Sequence, residues 1–237
     1  MNYKMHPLGD QGILVEFGTE ITEEIHLRIQ SIIGKLNKLK PKWLLEYVPG
    51  FTSITIFYNL YYFYEIEPFK SPYEAVSIQL AKIIASNQDT EEKNQRTITV
   101  PVHYGGEFGP DIAIVATHHN MTEEEVIELH SRGKYMVYMI GFSPGFPYIG
   151  GMTEQLATPR KKTPAIKVPA GSVGIAGKQT GIYPLESPGG WQIIGRTPLT
   201  LFNPHKKNPS LLKAGDYIKF MPISREEYNN WEYTEND

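Results

Sequence analysis

The 237-residue chain contains no cysteine. That absence removes disulfides, thiolate nucleophiles and thiolate metal sites together, and it suits a reducing compartment, so the expected location is the cytoplasm. Long apolar runs are missing too. No apolar stretch approaches the ~20 residues of a membrane span, and the opening MNYKMHPLGDQG carries no signal-peptide pattern. Nor is there an excess of positive charge. Lys and Arg number 23 against 26 Asp and Glu, and the resulting net charge of -3 supplies no general attraction for phosphate backbones or anionic lipid. Neither nucleic acid nor a membrane is an expected partner.

What is present is a chain able to bury a core, 41% hydrophobic and 21% charged, with two regions of different texture. In the first, GILVEFG reads as a strand. ITEEIHLRIQSIIGKLNKLK sets Ile25, Ile29, Ile32, Ile33 and Leu36 on one helical face before Pro41. WLLEYVP and TSITIFYN read as strands joined by a short hairpin. SPYEAVSIQLAKIIAS reads as a second helix, with Ser71 as N-cap, Pro72 at the first position and Glu74 closing a capping box. The polar run near residues 86–96 is the expected linker, dividing a small α+β domain at 1–90 from a second domain at 91–237. That second domain opens on the strand TITVPVHY and a helix capped by Thr122 and Glu125. Residues 141–195 then hold 11 of the chain's 21 glycines, a density that breaks helices and predicts many short strands in a barrel or sandwich.

No self-contained catalytic apparatus is visible in that glycine-rich half. SVGIAGKQ resembles a phosphate loop, but Ser172 stands where the first glycine is required and Gln179 where Ser or Thr should hold magnesium. The adjacent His118 and His119 lack the i, i+4 spacing of metal ligands on a helix and read as surface histidines, so no metal is expected. Ser172, His103 and Asp111 could form a triad only if the fold brought them together. What stands out is an aromatic set, Phe142, Phe146, Tyr148, Tyr183 and Trp191, beside the cations Arg160, Lys178 and Arg196. This composition suits a pocket for a small carboxylate or phosphate, or a partner's surface.

HYGGEFGPD, GFSPGFPYIGG, VPAGSVGIAGKQTGIYP and SPGGWQIIGRTP, in that order, closely resemble the family of the 5-oxoprolinase B subunit, also described as allophanate hydrolase subunit 1-like, as the inhibitor of sporulation kinase A, and as a carboxyltransferase C and D subdomain. The resemblance also takes in LGDQGILVEFG and VPGFTSITIFYN. It implies a small α+β N-terminal domain followed by a cyclophilin-like β-barrel. It further implies a protein active only in a complex, together with the 5-oxoprolinase C subunit, related to allophanate hydrolase subunit 2, and the 5-oxoprolinase A subunit. That complex opens 5-oxoproline to glutamate at the expense of ATP. ATP is then expected to be used by the complex rather than bound by this chain. Two alternatives stay open: inhibition of a sporulation-type histidine kinase, and membership of an allophanate or urea amidohydrolase.

The family pattern falls on Gly105, Gly106, Phe108, Gly109 and Asp111, on Gly141, Phe142, Pro144, Gly145 and Phe146, on Pro159 and Arg160, on Pro169 to Val173, and on Pro188 to Trp191 with Gly195 and Thr197. One departure is Pro164-Ala165, where the family often reads Pro-Arg; Lys162 or Lys167 would have to supply that second cation. The expected substrate-binding set is Arg160, Gly171, Ser172, Phe142, Phe146, Gln179, Gly189, Gly190 and Trp191, with Arg160 and the amides of Gly171 and Ser172 meeting an anion. A structural ion pair from Arg160 to Asp111 or Glu107 is the competing expectation. No catalytic residue is nominated.

Overall fold

A computed structural model describes residues 3–66, 71–86 and 96–231. It divides into two compact units, Met1–Asn94 and Gln95–Asp237. Nearly all of the expected linker, residues 87–95, lies outside the described residues.

In the first unit, β1 (Lys4–Leu8), β2 (Gly12–Glu16), β3 (Leu44–Pro49) and β4 (Ser53–Tyr58) form an antiparallel sheet in the order β1-β2-β4-β3. The helices are α1 (Glu23–Leu39), α2 (Leu60–Ile66) and α3 (Pro72–Ala85). Helix α1 begins where Thr22 Oγ1 accepts from Ile25 N–H at 3.2 Å, with Glu23 and Glu24 favouring the positive end of its dipole. It ends at Lys40, whose φ of 44° leaves the helical region one residue before Pro41. Its apolar face, Ile25, Ile29, Ile32 and Leu36, meets Ile13, Val15, Ile54 and Ile56 of the sheet in one buried cluster. Lys35 turns its ammonium onto the carbonyls of Ile83 and Ser86, where the last turn of α3 leaves acceptors unpaired.

Three local expectations are corrected or extended here. Ser71 makes no side-chain bond to the first turn of α3, so the capping box with Glu74 does not form; Pro72 at the start has no N–H to offer. The aromatic run LYYFYEI carries no helix signal by propensity, yet forms α2 because Phe63 drives into the core against Tyr58 and Tyr62. KMHPL, which contains a proline, forms the edge strand β1, where a missing N–H is tolerated.

The second unit is a closed barrel of β5 (Thr97–Tyr104), β6 (Tyr135–Ile140), β7 (Pro147–Gly150), β9 (Ser172–Ala176), β10 (Gln179–Ile182), β12 (Gln192–Arg196) and β13 (Tyr217–Pro222), in the order β10-β7-β6-β13-β5-β12-β9. A two-stranded ribbon of β8 (Ala165–Val168) and β11 (Ser187–Gly189) stands apart from it. The expected barrel is therefore present, its first and last strands joined by the parallel pair β5 and β13. Val102, Val137, Ile149, Val173, Ile175 and Ile194 fill its interior, and closure leaves no free edge among these seven strands. Helix α4 (Ile112–His119) packs on β12 and α5 (Glu123–Arg132) on β13. The capping box of α5 forms as expected, Thr122 Oγ1 accepting from Glu125 N–H at 3.2 Å and Glu125 Oε2 from Thr122 N–H at 2.7 Å. A last helix, α6 (Arg225–Asn229), has its own capping box from Ser224 and Glu227, which sequence reasoning overlooked.

Candidate functional site

A second, smaller cluster lies outside the barrel interior, formed by Phe146, Val168, Ala176, Tyr183, Trp191 and Ile193. Phe146 is its hub, edge-to-face with Trp191 at 6.0 Å, Tyr183 at 5.9 Å and Tyr148 at 5.3 Å between ring centroids. Such T-shaped contacts align ring edges with the negative faces of their neighbours and lock the orientation of the indole. Two glycines make room for the rings of this cluster. A Cβ on Gly181 would stand 2.8 Å from the Trp191 ring, and one on Gly189 would collide with the Tyr183 hydroxyl. Burial pushes the Tyr183 hydroxyl above its ordinary pKa, opposed by the backbone N–H of Trp191 and by the charge of Arg160.

Arg160 lies at the rim of this cluster, its guanidinium carbon 6.0 Å from the Trp191 ring centroid. The side chain is exposed and takes part in no ion pair among the described residues. Its backbone, by contrast, is tied on both sides. Lys161 N–H donates to Gly190 O at 2.7 Å, and Gln192 Nε2 donates to Pro159 O at 3.0 Å. Beneath them Asp111, 6% exposed, accepts from Ile193 N–H at 2.7 Å and from Lys161 Nζ at 2.5 Å.

The other nominated residues separate into those at this cluster and those away from it. Phe142 is 80% exposed, in a left-handed conformation at φ 70°, its ring 5.6 Å from Phe146. Gly190 sits beside Pro164 and receives the Lys161 bond. Gly171 needs its φ of 82°, since a Cβ would run into Thr197 O. The two amides expected to cradle an anion are already occupied: Gly171 N–H donates to Tyr183 O at 2.7 Å and Ser172 N–H to Pro169 O at 3.3 Å. Gly171 and Ser172 thus shape the strand and do not offer free donors. Gln179 opens β10 in a hairpin with β9. Gly177-Lys178 is the turn of that hairpin, so the phosphate-loop resemblance has the wrong context, strand to strand instead of strand to helix.

The imagined triad is not assembled. Ser172 is buried, His103 Nδ1 lies 3.1 Å from Ile223 O, and Asp111 serves Ile193 and Lys161. The competing ion pair for Arg160 is absent as well, because Glu107 pairs with Arg225 and Asp111 with the neighbouring Lys161. Lys178 pairs with Glu154, Arg196 donates to Ala170 O, and Lys167 pairs with Glu186. Of the cations weighed in the sequence, Arg160 is the one that meets the aromatics. Two shallow depressions, of about 400 Å³ around Leu36, Lys40 and Leu44 and about 470 Å³ along Ala113, Ile114, Thr117 and His118, include none of the nominated substrate-binding residues. Arg160 and Phe142 are exposed at the edge of the buried cluster, and together with the rim of Trp191 they form an open platform. Lys161 and Gln192, which hold it, went unnoticed as site residues because nothing local in TPRKK or GGWQI announces that the two segments meet.

The model of the family described as "Carboxyltransferase domain, subdomain C and D" matches residues 3–212. The 5-oxoprolinase B subunit of Bacillus subtilis is 43% identical over 100% of this chain and 99% of its own. A conserved uncharacterized protein of Pyrococcus horikoshii, of known structure, is 49% identical with a TM-score of 0.56, covering 95% of this chain and 100% of that one. The structure of Kluyveromyces lactis urea carboxylase shares the fold at a TM-score of 0.72 and 21% identity, over 96% of this chain and 22% of that much longer one. With nearly the whole chain matched and the barrel and its aromatic platform in place, the chain belongs to the carboxyltransferase subdomain C and D family and, within it, to the family of the 5-oxoprolinase B subunit.

Proposed function

We propose that the chain is the non-autonomous B subunit of an ATP-dependent 5-oxoprolinase, working with the C and A subunits of that enzyme, and that Arg160 receives the substrate carboxylate. One observation carries the reading: an exposed guanidinium outside every ion pair of the described residues stands beside a fixed indole. 5-Oxoproline is a flat lactam bearing one carboxylate. A guanidinium can take the carboxylate through two parallel N–H bonds while the exposed Phe142 ring offers a face to the lactam and the buried Trp191 backs the guanidinium. Opening the ring requires water to add at the lactam carbonyl and the C–N bond to break, leaving glutamate. The open platform has neither an evident base nor a nucleotide cradle among the residues around Arg160. Those parts, ATP use included, are assigned to the partner proteins of the complex, and the lack of cysteine suits a cytoplasmic complex.

The test is reconstitution. The chain co-purified with its C and A partners releases ADP and glutamate in proportion to 5-oxoproline, and the isolated chain shows no turnover; hydrolysis by the isolated chain overturns the reading. A second reading, inhibition of a histidine kinase, is favoured by the exposure of Phe142 at 80% and Ile166 at 85%, which suits a docking anchor. It gains ground if the isolated chain suppresses kinase autophosphorylation while the reconstituted complex fails to turn over 5-oxoproline.

A further inference from the structure

The backbone around Arg160 and Trp191 forms an incomplete strand pair that a side chain finishes. When two residues of antiparallel strands face each other without bonding directly, the residue after each donates its N–H to the carbonyl before the other, and their side chains lie close together on one face. For Arg160 opposite Trp191 the first such bond is Lys161 N–H to Gly190 O, at 2.7 Å. The second should run from the backbone N–H of Gln192 to Pro159 O. Residue 192 is instead in register with Ile175 of β9, and its side-chain amide takes the missing place, Nε2 donating to Pro159 O at 3.0 Å. Both peptide units flanking Arg160 are thereby fixed to the segment that carries Trp191. The buried Asp111 fastens the same join from below through Lys161 Nζ at 2.5 Å and Ile193 N–H at 2.7 Å.

This arrangement has a cost that packing alone does not explain. Gln192 is 6% exposed, and its Oε1 is buried with no hydrogen-bond partner among the described residues. An unsatisfied buried acceptor is destabilising, and an apolar side chain of similar size would avoid it. A residue that breaks a local rule in this way is expected where a site is being shaped. We infer that Gln192 is a positioning residue, a side-chain substitute for a backbone amide that holds Arg160 against Trp191 ready for a substrate carboxylate. The inference rests on the proposed role of Arg160, and Gln192 itself touches no substrate.

The experiment uses the reconstituted complex with Arg160→Ala, Gln192→Leu and the double variant, together with ¹⁹F spectra of the full chain labelled with 5-fluorotryptophan, in which Trp191 is assigned by Trp191→Phe. Gln192→Leu keeps or raises the melting temperature, raises KM for 5-oxoproline about three- to tenfold with kcat within about twofold, and moves the Trp191 resonance in the same sense as Arg160→Ala. In the Arg160→Ala background it adds nothing further to KM, because a residue acting through Arg160 has nothing left to position. Wild-type KM and an unmoved Trp191 resonance in Gln192→Leu, with both altered in Arg160→Ala, overturn the inference. So does a loss of stability with KM unchanged. If Arg160→Ala itself leaves KM at the wild-type value, the carboxylate role falls, and the positioning claim is then judged by the resonance alone: moved in Gln192→Leu, it stands; unmoved, it fails. Should Gln192→Leu not assemble, Gln192→Met removes the same donor with an unbranched chain.

Discussion

His130 shows how far a single side chain can be committed to the fold. It is fully buried between the Tyr104 hydroxyl, 2.8 Å from Nδ1, and Thr180 Oγ1, 2.9 Å from Nε2. Because Thr180 gives its own proton to Gly174 O, the hydroxyl must accept from Nε2–H, which leaves Nδ1 to accept from Tyr104. Burial lowers the pKa to about 3. The unfolded chain protonates near 6.5, so above that pH both states are neutral and full stability is retained; between about 6.5 and about 3 only the unfolded chain takes up the proton. Barrel stability therefore falls by about 1.4 kcal/mol per pH unit across that window. His26 in the first unit, lowered to about 4 by burial against the opposing effect of Glu23, adds a similar slope there. Denaturant titrations from pH 8 to pH 4 should show the decline, and His130→Asn should flatten it for the barrel unit; a flat wild-type profile contradicts this account. Residues of this kind are hard to read from a sequence. Arg160 stood out through its place beside the aromatic set and in the family pattern, whereas Asp111, Lys161 and Gln192 matter through contacts far along the chain, such as Gln192 to Pro159 at 33 positions and Ile193 to Asp111 at 82.

Among elements, those with a local physical signature were legible. The apolar stripe of α1 and the reciprocal cap of α5 follow from spacing alone. Helix α2 did not, since its aromatics gain helical order only from the core they enter. The ribbon of β8 and β11 was equally opaque: three and four residues joined with an irregular register leave too little alternation to detect. Thr122→Ala should cost about 1 kcal/mol in barrel-unit stability, and Ser71→Ala much less, because one cap bond exists and the other does not. Equal losses in thermal or denaturant melts would refute that contrast. Gly171→Ala should be worse, about 2–4 kcal/mol, since it demands a left-handed L-residue and forces a Cβ onto Thr197 O. Its melting temperature, compared with that of Gly177→Ala at an uncrowded positive-φ position, separates the clash from the backbone strain.

At the scale of the whole molecule, β5 and β13 join the beginning and the end of the barrel in register from Thr97 with Tyr217 to Val102 with Pro222. Truncation after Asp216 should therefore abolish cooperative unfolding of the barrel unit, while removal of residues 223–237 should spare the strand pair. We also propose that Met1–Asn94 and Gln95–Asp237 fold independently, since the stretch between 86 and 96 is polar and offers little to a core; limited proteolysis should cut there first. The open platform was not legible in the sequence, because it depends on segments 159–161 and 190–193 meeting across the fold. The central claim is that Arg160 on that platform holds the substrate carboxylate. The most direct measurement compares 5-oxoproline with 2-pyrrolidone, the same lactam without its carboxylate, in the reconstituted complex: the ratio of the 2-pyrrolidone inhibition constant to the 5-oxoproline KM. The account predicts that Arg160→Ala lowers this ratio by about tenfold or more, as expected for the loss of a charged hydrogen bond. An unchanged ratio in a variant that assembles normally would contradict it.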